Sequence, residues 1–138
     1  MRDVSRQLTV DELAELFSGR SRFVDKLARE DDPLGRARDV ARGMSEDEKT
    51  EALAAHPRIG ERSPEQHGDD PAVLAELAEL NREYEERFGF RFVVFVNGRS
   101  RAEIVPELRR RLQNSRELEL DTGLDALVSI AEDRWRKS

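Results

Sequence analysis

The sequence predicts an all-α fold, and two observations support that prediction. Apolar residues recur at the three- and four-residue spacing of amphipathic helices along most of the chain. The capping pattern Ser/Thr-x-x-Glu, which marks a helix N-terminus, begins at Thr9, Ser45 and Ser100. One stretch rich in β-branched and aromatic residues, Phe92 to Val96, interrupts the helical pattern. We therefore expect a single domain from Met1 to Ser138, a compact bundle of about seven to eight helices with one short extended segment.

Boundary signals in the first half of the chain predict four helices. The first begins after Thr9 and ends at Ser18-Gly19, and the second carries Phe23 on its apolar face. The third runs from Pro33, which is tolerated in a first turn, to Gly43. Ser45 opens the fourth, which runs toward the first histidine of the chain.

The second half predicts three further helices. Pro71 opens a long one that ends at Phe88-Gly89, and its inner face is expected to comprise Leu74, Leu77, Leu80, Asn81 and Tyr84. Pro106 lies within the next helical pattern, which predicts a kink or a late start. The last helix runs from about Glu117 to Trp135, with an inner face of Leu120, Leu124, Leu127, Val128, Ile130 and Ala131.

Composition restricts the classes of function. The chain has 138 residues, of which 37% are apolar and 39% charged, and its net charge is −6 with acids and bases interleaved. This balance argues against a nucleic-acid-binding protein, which would carry a basic face. The absence of cysteine excludes disulfides and thiolate chemistry. The longest apolar run is too short to cross a bilayer, and the N-terminus has no apolar signal core, so we expect a cytoplasmic protein.

The polar stretch from Ala54 to Gln66 separates two helical patterns and is the best candidate for a site. His56 is its first candidate for moving a proton, because histidine changes charge near neutral pH. Pro57 disfavours helical backbone at His56, so His56 should lie at the end of the fourth helix. A helix-end histidine without a role is the simpler interpretation. Likewise, Arg134 would ordinarily be a surface residue or an ion-pair partner of a neighbouring acid.

Other chemistries find little support in the residue patterns. His56 and His67 are the only histidines and lack the spacing of a metal site, so we expect no metal. Neither a glycine-rich phosphate loop nor a dinucleotide fingerprint is present, so we expect no organic cofactor. Acid–base chemistry without a cofactor remains.

The segment from Phe92 to Val96, followed by an Asn97-Gly98 turn, has no evident strand partner. Its backbone N–H and C=O groups must nevertheless be satisfied. A bound ligand is one possible partner, and ordered water or side chains are the other.

Three ordered blocks of the chain carry a recognisable pattern. The first block is His56-Pro57-Arg58-Ile59-Gly60-Glu61 with Ser63-Pro64-Glu65-Gln66-His67-Gly68. The second is Leu80-Asn81-x-x-Tyr84-x-x-x-Phe88-Gly89-Phe90-x-Phe92-Val93. The third comprises Arg111-Leu112-x-Asn114, Glu117-Leu118 and Ile130-Ala131-x-x-Arg134. Together these blocks resemble the 2-oxo-4-hydroxy-4-carboxy-5-ureidoimidazoline (OHCU) decarboxylases. The resemblance extends from about Leu13 to Trp135, nearly the whole chain.

The resemblance implies an all-α, cofactor-independent carboxy-lyase, typically a homodimer, that acts after urate oxidase and hydroxyisourate hydrolase and yields (S)-allantoin and CO2. It implies His56 as the catalytic acid/base, with Glu65 and Arg134 also catalytic. It leaves open whether Glu65 orients His56 or anchors the substrate's hydroxyl group. The residues that it implies line the substrate are Pro57, Arg62, Ser63, Pro64, Glu65, Gln66, Phe92, Val93, Val94, Phe95 and Val96.

Two other classes of function remain open at this point. One is a non-catalytic helical module in which the polar loop binds a ureide or a partner protein. The other is a metal-dependent hydrolase of a related cyclic amide, which the scarcity of ligand-type residues disfavours. The role of Trp135 is also open, because it could contribute to a dimer surface or cap the core.

Overall fold

The computed structural model describes residues 7–56 and 70–137, and within these two ranges the secondary structure is entirely helical. The all-α prediction is confirmed. The helices are α1 (Val10–Leu16), α2 (Arg22–Leu27), α3 (Pro33–Arg42), α4 (Glu46–Ala54), α5 (Pro71–Phe88), α6 (Arg101–Arg111) and α7 (Arg116–Lys137).

All three predicted capping boxes form. The hydroxyl groups of Thr9, Ser45 and Ser100 accept the backbone N–H three residues onward, and the glutamate at that position bonds back to the cap. Each box satisfies two backbone donors that a helix start would otherwise leave unbonded, and a cap of this kind stabilises a helix by about 1 kcal/mol. The starts of α1, α4 and α6 are therefore set by local sequence.

Proline and glycine set further boundaries as predicted. Pro33 and Pro71 lie in the first turns of α3 and α5, where a missing N–H costs nothing. Gly89 ends α5 in the left-handed conformation, with φ of 80°. Asn97 and Gly98 also have positive φ angles, of 50° and 79°, and make the predicted turn.

Two details of the helices differ from simple expectation. Of the kink or late start predicted from Pro106, the late start does not occur, since α6 begins at Arg101 with Pro106 inside it, and the kink stays a prediction. The cap at Ser100 fixes the helix start, and the proline costs α6 one backbone donor. Leu74 does not belong to the inner face of α5, since it is 36% exposed. Val73 packs against the core instead, in register with Leu77.

The core is one apolar cluster to which all seven helices and the segment from Phe92 to Val94 contribute. The long helix α7 packs against α1, α3 and α4. At Gly123 of α7 an added Cβ would lie 3.0 Å from the Leu53 side chain, so α4 and α7 approach closely there. Trp135 is only 3% exposed, so it caps the core. None of the described helices is long and apolar enough to cross a membrane.

Candidate active site

His56 directly follows the C-cap of α4, so this helix ends where Pro57 predicted. The histidine is partly buried, and its backbone N–H donates to the carbonyl of Leu53 at 3.2 Å. Arg91 holds the same turn from outside the helix. Its Nη1 donates to the carbonyl oxygens of Ala54 at 2.9 Å and His56 at 2.6 Å. The backbone that carries the imidazole is thus fixed by a residue remote in sequence.

The end of α1 lies against the end of α4 at this point. An added Cβ on Gly19 would lie 3.7 Å from the Cβ of Ala55. Ser18 Oγ is 3.4 Å from Nδ1 of His56. The Ser18 hydroxyl therefore faces the Nδ1 edge of the imidazole.

Arg134 reaches the same hydroxyl from α7. Its Nη1 donates to Ser18 Oγ at 2.8 Å and to the carbonyl oxygen of Leu16 at 3.0 Å. The neighbouring acid Asp133 pairs with Lys137 at 2.9 Å. The guanidinium charge of Arg134 is thereby fixed next to the imidazole of His56, with Ser18 between them.

The electrostatics of helix ends explain why arginines lie at this place. The last turns of α1 and α4 contain no basic residue of their own. A helix C-terminus carries partial negative charge and carbonyl groups without intrahelical partners. Arg134 supplies the cation to α1, and Arg91 supplies it to α4. Two positive charges therefore lie on either side of the chain at His56, one at the end of each helix.

Side chains satisfy several carbonyl groups of the segment from Phe92 to Val96. Arg111 Nη1 donates to the carbonyl oxygen of Val93 at 2.7 Å. Arg99, which also pairs with Glu107, donates to the carbonyl oxygens of Phe95 and Val96 at 2.7 and 3.0 Å. Of the two alternatives for these carbonyl groups, side chains are the partners observed. Phe92, Val93 and Val94 are buried, whereas Phe95 and Val96 are partly exposed.

A buried polar cluster holds this segment in place. Glu119, 0% exposed, accepts hydrogen bonds from Tyr84 at 2.6 Å, Arg111 Nε at 2.7 Å and Asn114 at 2.7 Å. The Arg111 guanidinium also lies 4.6 Å from the centre of the Phe92 ring. Burial, followed by the hydrogen bond to Glu119, raises the pKa of Tyr84. Because a buried charge requires partners, this cluster fixes the relative positions of α5, α6, α7 and the segment.

The structure brings together only some of the residues expected in the site. His56 and Arg134 meet through Ser18, whereas Pro57, Arg62, Ser63, Pro64, Glu65 and Gln66 lie outside the described residues. Neither Ser18 nor Arg91 was predicted from the sequence as a residue of the site. One sequence feature could have pointed to Ser18, which is a serine at a helix end where glycine is the common residue. No sequence feature pointed to Arg91.

No group of three or more potential metal ligands occurs among residues 7–56 and 70–137. The chemistry that these ranges supply is an imidazole, a hydroxyl group and two guanidinium groups. Together they can exchange a proton and stabilise negative charge on a bound molecule.

A helical bundle with a histidine at a helix end, next to a hydroxyl group and a guanidinium group, defines a candidate acid–base site, and comparison with known proteins identifies the family. The chain matches the family described as OHCU decarboxylase over residues 2–136. It therefore belongs to the OHCU decarboxylase family.

Individual proteins from several organisms are also similar in sequence to this chain. The 2-oxo-4-hydroxy-4-carboxy-5-ureidoimidazoline decarboxylase of Haloferax volcanii is 30% identical over 144 residues, which cover 91% of this chain and 85% of that protein. The uric acid degradation bifunctional protein TTL of Arabidopsis thaliana is 33% identical over 104 residues. That match covers 63% of this chain but 32% of the Arabidopsis protein, so the similarity spans about a third of its length.

Solved structures share the fold. The crystal structure of an OHCU decarboxylase in the presence of (S)-allantoin has a TM-score of 0.78 and 29% identity, and the match covers 91% of this chain and 96% of that chain. An (S)-allantoin synthase has a TM-score of 0.73 at 20% identity, with 93% of this chain and 48% of that chain covered. The second similarity concerns the fold alone.

Proposed function

We propose that this chain decarboxylates 2-oxo-4-hydroxy-4-carboxy-5-ureidoimidazoline to (S)-allantoin and CO2 without a cofactor. Membership of the OHCU decarboxylase family supports the reaction. The observation in the structure that supports it most is the convergence of His56 and Arg134 on Ser18. These residues come from α4, α7 and α1, and they combine a proton-exchanging group with a fixed cation.

The proposed chemistry divides between the two charged side chains. When the carboxylate leaves as CO2, its bonding electrons stay on the ring carbon and spread into the heterocycle. The Arg134 guanidinium stabilises this negative charge because its position is set before the reaction begins. His56 then gives a proton to the adjacent ring carbon, which carries the ureido group, while the hydroxyl group on the carbon that lost CO2 gives up its proton and becomes a carbonyl group of allantoin. Because the imidazole lies on one side of the substrate, protonation occurs on one face and the product is a single enantiomer.

Binding of the substrate is proposed to involve two further parts of the chain. Ser63, Glu65 and Gln66, with Pro57, Arg62 and Pro64, would hold the ureido group and the polar groups of the ring. The segment from Phe92 to Val96 would contact the ring with its backbone. The partial exposure of Phe95 and Val96 supports this role for the end of the segment.

The setting of the enzyme is proposed from the same relationships. The name of the Arabidopsis relative places it in uric acid degradation. We propose that this chain acts there after urate oxidase and hydroxyisourate hydrolase, in the cytoplasm and as a homodimer. Light scattering coupled to size-exclusion chromatography tests the oligomeric state, and a monomer mass at micromolar concentration would contradict the dimer.

The reaction is tested by following circular dichroism at the allantoin band. Urate is converted through urate oxidase and the hydrolase, with the wild-type chain, with His56→Gln, or with neither. We expect rapid formation of (S)-allantoin with the wild-type chain. We expect His56→Gln to slow that formation by at least about 100-fold, because it removes the proton donor.

Ser129→Ala is the matched control for a folded chain with one polar contact removed. Ser129 accepts a hydrogen bond from Arg38 at 3.0 Å on another face of α7. Loss of this hydrogen bond should leave the rate of (S)-allantoin formation within about two-fold of the wild-type value. Slow formation of racemic allantoin in every reaction would contradict the proposed function, and stereospecific turnover by His56→Gln would contradict the role of His56.

A further inference from the structure

Ser18 has a backbone conformation that serine rarely adopts. Its φ angle is 68°, in the left-handed region, and it follows the last turn of α1. The N–H of Gly19 donates to the carbonyl of Ala14 at 2.8 Å, which closes the helix end. Glycine is the usual residue at the left-handed position of such an end because it has no Cβ. A serine there is less favourable for the backbone, which points to a role for its side chain.

The hydrogen bond from Arg134 favours one direction for the hydroxyl proton of Ser18. A guanidinium group can only donate, so Ser18 Oγ is the acceptor of the bond from Arg134, and its own proton points away from the guanidinium. Nδ1 of His56 lies 3.4 Å from Oγ and is an acceptor toward which that proton can point. An imidazole nitrogen that accepts a hydrogen bond carries no proton. In the neutral ring the proton must then be on Nε2.

We infer that Ser18 is a positioning residue that holds His56 in the Nε2–H tautomer, with Arg134 orienting the Ser18 hydroxyl group. This inference rests on the proposed role of His56 as proton donor. The Nε2–H group lies on the far side of the ring from Ser18 and is the one that protonates the carbon. Hydrogen bonds of this kind are commonly long without substrate and shorten when the reacting complex forms. A histidine in the other tautomer is correctly positioned, but the nitrogen that faces the substrate carries no proton to donate.

Ser18→Gly isolates the hydroxyl group from the backbone. Glycine accepts the left-handed conformation, and the bond from Arg134 to the carbonyl of Leu16 stays in place. We expect the variant to melt at the same temperature as the wild-type chain or higher. We expect its kcat to fall about ten-fold or more while KM changes less than about two-fold, because positioning acts on the proton transfer. Ser18→Ala should lower kcat equally, and Ser129→Ala should leave it unchanged.

A nitrogen-15 spectrum of the imidazole groups reads the tautomer directly. The chain has two histidines, so the signals that vanish in His56→Gln assign those of His56. We expect Nδ1 to be unprotonated and Nε2 protonated in the wild-type chain, and both tautomers to be present in Ser18→Gly. A wild-type His56 protonated on Nδ1 would overturn the inference.

The outcomes separate this inference from the proposed function. If His56→Gln retains stereospecific turnover, the proposed role of His56 fails and this inference fails with it. If His56→Gln is inactive while Ser18→Gly keeps wild-type kcat, the inference about Ser18 alone is overturned. A large fall in the melting temperature of Ser18→Gly would also overturn it, because Ser18 would then act in folding.

Discussion

Glu119 is the residue on which the buried polar cluster depends. Its carboxylate receives three hydrogen bonds, and one donor is the buried guanidinium of Arg111. Removing one partner of a buried ion pair leaves an uncompensated charge, which costs more than the pair itself contributes. The stability of the segment that ends at Val96 is therefore coupled to one carboxylate on α7.

Glu119→Gln should lower the free energy of unfolding by about 3 kcal/mol or more, because Arg111 loses its counter-charge in a dry environment. Urea denaturation followed by circular dichroism measures the change. Glu117→Gln, which alters an exposed glutamate two positions earlier, should change it by less than about 0.5 kcal/mol. Equal stability of the two variants would show that the cluster does not hold a buried charge.

Tyr84 makes stability depend on pH in the alkaline range. Burial, with the hydrogen bond to Glu119, raises its pKa in the folded chain, whereas the unfolded value is near 10. The folded state binds this proton more tightly, so its contribution is present below about pH 10 and is lost as the pH rises above that value. We expect the free energy of unfolding to fall there, and less steeply in Tyr84→Phe.

The same residue provides the measurement. It is the only tyrosine, so tyrosinate absorbance in the near ultraviolet reports its ionisation alone. That absorbance should appear together with unfolding as judged by circular dichroism. Tyrosinate formation in a fully folded chain would contradict the prediction.

At the scale of elements, helix ends organise the candidate site. Local capping boxes begin α1, α4 and α6, whereas arginines distant in sequence bond the ends of α1 and α4. A capping box uses the three residues that follow the helix start, whereas the last carbonyl groups of α1 and α4 receive hydrogen bonds from side chains packed beside them. The candidate site lies at the two ends that are completed by tertiary contacts.

Arg91→Met should lower activity about ten-fold with a stability loss of about 1–2 kcal/mol, because it removes the bonds that hold the Ala54 and His56 carbonyl groups. Kinetic assays and urea denaturation on the same preparation measure both effects. Arg116→Met is the matched control, since Arg116 Nε donates to the carbonyl of Phe88 at the end of α5. It should lose comparable stability and keep its activity. Equal activity of both variants would show that Arg91 does not position His56.

At the scale of the whole molecule, one apolar core joins all seven described helices. Trp135 near the end of α7 belongs to that core, so the first and last helices are packed into the same unit. A single contiguous core favours cooperative unfolding without a populated intermediate.

Trp135 is the only tryptophan, and its burial makes it a probe of the whole fold. We expect its fluorescence and the far-ultraviolet circular dichroism of the helices to change at the same urea concentration, within experimental error. A fluorescence transition at lower urea would show that the end of α7 separates from the core before the helices unfold. In that case Arg134 would also leave the candidate site early.

Much of the fold could be predicted because its signals act over three or four residues. Ser45 and Glu48 meet wherever a helix begins between them. Pro71 restricts φ and Gly89 tolerates a positive φ, whatever packs nearby. The expectation that Leu74 lies on the inner face of α5 was wrong because it too was based on spacing over three or four residues. Spacing allows Leu74 on the inner face of α5, and only the packed core shows that Val73 occupies that place.

Some features of the candidate site could likewise be predicted from the sequence, and others arise only from tertiary contacts. The sequence by itself determined that His56 ends a helix, because Pro57 restricts its backbone, and the three ordered blocks indicated the family. Only the tertiary structure decided that Ser18 lies between His56 and Arg134 and that Arg91 holds the end of α4. The physical reason is the range of the interactions: backbone restriction and capping act between near neighbours, whereas these contacts exist only once α1, α4 and α7 have packed together.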